Sequence, residues 1–82
     1  VNLNLIEQVI NRNGEFKIVL TKEYSDHIDG LKLFGYCNEL SRDLKIKYHN
    51  SKLELSLDNQ KESIKKMLTL IDHLDKLEKD EN

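Results

Sequence analysis

Apolar positions along the 82 residues repeat with two different periods. Leu44, Ile46 and Tyr48 alternate with Lys45, Lys47 and His49, and Leu53, Leu55 and Leu57 alternate with Glu54 and Ser56. A period of two marks strands whose two faces see different surroundings. A two-residue loop at Asn50-Ser51 sets Tyr48 against Leu53, Ile46 against Leu55 and Leu44 against Leu57. All the apolar residues then share one face, and Lys47 meets Glu54 on the other. Asn tolerates the positive φ that such a tight loop needs. From Glu15 to Leu20 the same alternation puts Phe16, Ile18 and Leu20 on one face, with Val19 on the outer face.

Two later segments follow the helical period instead. In the first, Ser25 or Asp26 is placed to cap, and Ile28, Leu31, Phe34 and Gly35 form a stripe that Leu33, Cys37 and Leu40 broaden. In the second, Asn59 followed by Glu62 resembles a capping box. Ile64, Met67, Leu68, Ile71, Leu74 and Leu77 then form the apolar stripe, with Leu70 at its border. Glu78, Asp80 and Glu81 crowd acid at the negative end of that helix, which predicts a frayed tail over 78–82.

The beginning of the chain reads two ways. Leu5, Ile6, Val9 and Ile10 lie on one face of a short helix that Asn13-Gly14 would stop. Asn-Gly is equally the strongest short signal for a hairpin. A regular hairpin, however, pairs Asn11 with Phe16 and Glu7 with Leu20, setting polar residues on the apolar face and turning Ile6 and Ile10 outward. The helix is therefore preferred. The resulting expectation is a single α+β domain over 1–77, in the order α-β-α-β-β-α. Its three-stranded sheet is at least partly antiparallel, with helices packed on one face.

Composition narrows the function more than the fold. Thirteen Lys and Arg against fifteen Asp and Glu give a net charge of −2, without the cationic excess of a protein built to neutralise phosphates. No run of apolar residues is long enough to span a bilayer, and the first residues lack the pattern of a signal peptide, so a cytoplasmic chain is expected. The one cysteine, Cys37, excludes an internal disulfide and a Cys-rich zinc site. It falls late in its helix on the broadened stripe, where packing explains it better than a reactive thiolate does.

Asp-His-apolar-Asp occurs twice, at 26–29 and at 72–75. His and Asp are metal ligands, but neighbours on a helix diverge by about 100°, so within one copy only the two Asp residues point together. The apolar third positions, Ile28 and Leu74, belong to the core stripes, and solvated flanks account for the rest. No phosphate-binding glycine loop, nucleophile elbow or convergent pair of carboxylates is present. No catalytic residue, metal ligand or cofactor is expected. The enzyme-class alternative is a metal or thiol site assembled from His27, Cys37, His49 and His73.

Lys45, Lys47 and Lys52 on the hairpin, with Lys61 and Lys65 early in the last helix, form a weak basic patch. Tyr48 faces inward in the expected register, leaving no aromatic side chain there to stack a base. Nucleic acid is accordingly the lesser expectation. Protein partners rank first, because an open sheet leaves two edges and a small core gains from association. The expected contact surfaces are a strand edge and the last helix around Met67, Leu70 and Leu74.

From Phe16 to Leu77, the order β-α-β-β-α resembles the small dimerising subunit of the KEOPS tRNA-modification complex, best over the hairpin Leu44 to Leu57 and the helix after it. That resemblance implies a non-catalytic scaffold that dimerises and helps present tRNA. With a helix before Phe16, the order also resembles a thioredoxin-like fold without its first strand. This chain has a single cysteine and no proline, so such a relative would be redox-silent. The sequence thus points to a small non-enzymatic interaction module, self-associating or a subunit of an assembly, with an RNA-linked accessory subunit as the alternative.

Overall fold

The computed structural model describes residues 5–79. Strands β1 (Ile6–Arg12) and β2 (Glu15–Leu20) are followed by helices α1 (Lys22–Ser25) and α2 (Gly30–Leu40). Strands β3 (Lys45–His49) and β4 (Lys52–Asp58), helix α3 (Lys61–His73) and a 3₁₀ turn (Leu74–Leu77) complete the chain. The class is α+β, but the sheet has four antiparallel strands, in the order β1-β2-β4-β3, rather than three.

The added strand is the opening segment, where the sequence favours a helix. A β-bulge resolves the conflict that counts against the hairpin. Asn11 does pair with Phe16 and Val9 with Ile18, but the register shifts between Ile6 and Gln8. Glu7 is the extra residue, so Ile6, not Glu7, stands opposite Leu20. With a strand before Phe16, the element order of the thioredoxin-like reading is lost.

Both hairpins turn through left-handed residue pairs. Asn13 and Gly14 have φ of 53° and 76°, and Asn50 and Ser51 have φ of 52° and 64°. Consecutive positive φ angles give the turn whose twist matches that of the flanking strands. In the second hairpin Ile46 pairs with Leu55, Lys47 with Glu54 and Tyr48 with Leu53.

Because β4 lies between β2 and β3, the latter two run parallel, and α1 and α2 make the crossover between them. Phe16, Ile18 and Leu20 of β2 and Leu53, Leu55 and Leu57 of β4 form one face of the central pair. They are buried with Tyr24, Ile28, Leu33 and Cys37 and with Met67, Leu70, Leu74 and Leu77 of the closing elements.

Thr21 caps α1, its hydroxyl accepting from the Tyr24 amide at 3.2 Å. The Ser25 hydroxyl donates to the Thr21 carbonyl at 2.7 Å and accepts from the Leu53 amide at 3.0 Å. It supplies β4 with an acceptor just where β2 turns away into α1, keeping a buried donor satisfied.

Asp29, rather than Ser25 or Asp26, caps α2, its carboxylate accepting from the amides of Leu31 and Lys32 at 3.0 and 3.3 Å. This start leaves Ile28 outside the helix, in a bridge with Glu78. Ile28 therefore does not set the helical phase. Leu33 and Cys37 turn inward with Tyr36 and Leu40 beside them, while Leu31 and Phe34 turn out.

The entry to α3 also differs from the expected capping box. Its N-cap is Gln60, which makes no side-chain cap bond. The Asn59 side chain donates to Asn11 at 3.3 Å, and its amide donates to the Gly14 carbonyl at 3.1 Å. These bonds tie the first hairpin turn to the β4–α3 junction, while Ser63 donates to Asp58. At the other end, Glu78 and Lys79, expected to fray, are held by bonds from the Asp29 amide to Leu77 and from the Lys79 amide to His27, both 2.8 Å. The remainder of the expected tail, 80–82, lies outside the described residues.

Candidate interaction surfaces

The three residues expected to meet a partner lie in the core. Met67 and Leu70 are 0% exposed and Leu74 is 1% exposed. These three side chains are consumed in covering the sheet, so they offer no contact surface in the folded chain. The open apolar surface lies instead on α2. Leu31 is 86% exposed and Phe34, one turn on, is 59% exposed. Gly35 sits beside them on the same face, and a Cβ built there would meet nothing within 4 Å. Leu31, Phe34, Gly35 and Asn38 follow helical spacing and carry no charge.

Internal packing does not explain that glycine. A mid-helix Gly costs about 1 kcal/mol relative to Ala, and here no close neighbour requires a missing side chain. By contrast Leu68 is a solitary exposed leucine on α3, and single surface apolar residues are common. Val9 and Tyr48 are exposed for another reason. Both stand on the helix-covered face, opposite Ile18 and Leu53 respectively, but on the outer strands of the sheet.

The other sheet face is polar and of mixed sign. Across it run the rows Ile10-Lys17-Ser56-Lys45 and Gln8-Val19-Glu54-Lys47. Lys17 reaches the Glu54 carboxylate at 3.5 Å, although Lys47 is its partner in register. Glu7, carried by the bulge, pairs with Lys52 at 2.7 Å. The weak basic patch is therefore divided. Lys45 and Lys47 are exposed on β3, Lys52 is engaged by Glu7, and Lys61 and Lys65 lie on α3. Lys65 is 3.7 Å from Glu62. A cleft of about 430 Å³ at the end of the sheet has Glu15, Asp43 and Asp58 in its wall beside Arg42 and Lys45.

The residues of the metal or thiol alternative come from four different parts of the chain. Cys37 is buried in the core, and burial pushes its thiol up to about 11, so the thiolate needed for nucleophilic attack is disfavoured near neutral pH. His73 stacks on Tyr36 with ring centroids 4.9 Å apart. His27 belongs to the α1–α2 connection and His49 ends β3. Among the described residues no group of three or more His, Cys, Asp or Glu side chains is arranged to hold a metal ion. Ile28 and Leu74, the apolar positions of the repeated Asp-His-apolar-Asp tetrapeptide, are both buried, while the first copy's Asp29 serves as a helix cap.

Tyr24 is the other displaced group. Burial, with Glu78 and Asp75 adding negative potential, pushes its phenol up to about 12. No helix among the described residues is long and apolar enough to cross a membrane. Compared with protein-family models, curated proteins and solved structures, the chain matches none.

Proposed function

We propose that this chain is a small non-enzymatic protein-interaction module, working as a subunit of an assembly and meeting its partner through the outer face of α2. The observation that carries this reading is the exposed pair Leu31 and Phe34 beside the uncrowded Gly35. Burying such side chains is worth roughly 1.5–3 kcal/mol each, which the isolated chain leaves unrealised. The absent Cβ lets a partner backbone come close, and the uncharged row Leu31, Phe34, Gly35 and Asn38, with the exposed Glu39 at its margin, favours an apolar surface opposite, such as the stripe of another helix.

The test compares the full chain with Phe34→Glu, each immobilised and exposed to extract from its source. A partner retained by the first and lost from the second, with far-UV circular dichroism unchanged, supports the reading. Retention of the same partners by both places the contact elsewhere. An RNA-linked role has less behind it, because Glu15 and Glu54 lie among the lysines of the open sheet face and Tyr48 stands on the opposite face.

A further inference from the structure

An open four-stranded sheet has two edges, and those of this chain differ in charge. The edge strand β3 places Lys45, Lys47 and His49 on the open face. Antiparallel pairing of β3 with its own copy, in any register that keeps like faces together, sets lysine against lysine or against His49. Like charges directly opposite one another are unfavourable, and edge lysines are a common defence against strand addition.

Strand β1 lacks that defence. Its central run, Gln8-Val9-Ile10-Asn11, is uncharged, and its charges, Glu7 and Arg12, have opposite sign at opposite ends. Antiparallel self-pairing about Val9 sets Glu7, which reaches Lys52 of its own sheet at 2.7 Å, opposite the uncharged Asn11, so no like charges meet. The backbone is also available. Arg12 and Glu15 flank the two-residue turn and form its bonded pair, as do Ile10 and Lys17 two residues on, so Val9 and Asn11 direct their N–H and C=O groups away from β2. Among the described residues, no strand lies on that side of β1. The Val9 side chain, 53% exposed, continues the core row Ile18-Leu55-Ile46 to the edge and ends there.

We propose that two copies of this chain join antiparallel along β1, with Val9 facing Val9 across the two-fold axis. Gln8 then faces Ile10 of the other copy, and Glu7 faces Asn11 at both ends of the seam. The two sheets become one of twice the width. The axis stands perpendicular to the sheet, so both helical layers share a face and both α2 surfaces stay open. The bulge at Glu7 ends the regular ladder, which makes the seam short and the dimer concentration-dependent. This inference rests on the reading of the chain as an interaction module, but not on α2 being its contact.

Light scattering over a concentration series, on the full chain and on three variants, tests it. The unaltered chain is expected to pass from monomer to dimer. Val9→Lys sets two ammonium groups face to face on the axis and should raise the dissociation constant about tenfold or more, the equivalent of about 1.4 kcal/mol. Tyr48→Lys on the far edge and Phe34→Glu on α2 should leave it unchanged. Amide exchange gives an independent measurement, with Val9 protected at high concentration and exchanging freely on dilution. A monomer at every concentration, a dimer indifferent to Val9→Lys, or a Val9 amide insensitive to dilution overturns the β1 seam. Loss of the dimer in Phe34→Glu alone also overturns it and moves the second copy to α2. Failure of the α2 reading shows separately, as a heterologous partner unaffected by Phe34→Glu.

Discussion

Replacing glycine by alanine at positions 14 and 35 should shift stability in opposite directions, although the covalent change is the same. Neither added methyl meets an atom within 4 Å, so packing does not enter and the backbone decides the sign. Gly35 lies inside α2, where Ala is favoured by about 1 kcal/mol. Gly14 has a φ of +76°, where an L-residue is strained by about 1–2 kcal/mol. Against that strain, Ala recovers about 0.4–1 kcal/mol by restricting the unfolded chain. The net expectation for Gly14→Ala is a loss of about 1 kcal/mol by the same balance. In a domain of this size, about 1 kcal/mol displaces Tm by roughly 4–8 °C. It moves a urea midpoint by roughly 0.5–1 M, for an m-value of about 1–2 kcal/mol/M. Urea unfolding followed by far-UV circular dichroism at low protein concentration therefore resolves both changes. A destabilising Gly35→Ala would show that the outer face of α2 is crowded in solution. A stabilising Gly14→Ala would refute the left-handed turn. In a partner-binding assay, Gly35→Ala should weaken the α2 contact while making the isolated domain more stable.

Three further outcomes follow from the packing. Ser25→Ala leaves the buried Leu53 amide without its acceptor and should lower stability by about 1–3 kcal/mol in urea unfolding. Met67→Ala, at a fully buried position, should cost about 2–5 kcal/mol, whereas Phe34→Ala should fall within about 0.5 kcal/mol of the unaltered protein; comparable losses would contradict the assigned orientation of α2. Tyr24 retains its proton to about pH 12 when folded, against an ordinary value near 10, so the unfolded chain ionises first. The stability it contributes is complete below pH 10 and is lost as pH rises from 10 through 12. Tyr24→Phe should lose less stability than the unaltered protein over that interval, as measured by urea midpoints at successive pH values.

What the sequence by itself determined is the part of the fold in which local pattern and tertiary surroundings agree. The second hairpin is legible because strict alternation on both strands and a two-residue loop with Asn at its first position specify the same register. The inward face of β2 is legible for the same reason. The first strand is not, because a bulge adds one residue and shifts the phase between Ile6 and Val9, leaving a pattern that also fits a helix. The phase of α2 is hidden by a different cause. Leu31 and Phe34 are as apolar as Leu33 and Cys37, and only a cap at Asp29, with Ile28 held in the bridge to Glu78, selects which pair turns inward. That choice moves the candidate surface from Met67, Leu70 and Leu74 to α2. An apolar stripe records that a residue avoids water, but tertiary packing decides whether its own sheet already covers it.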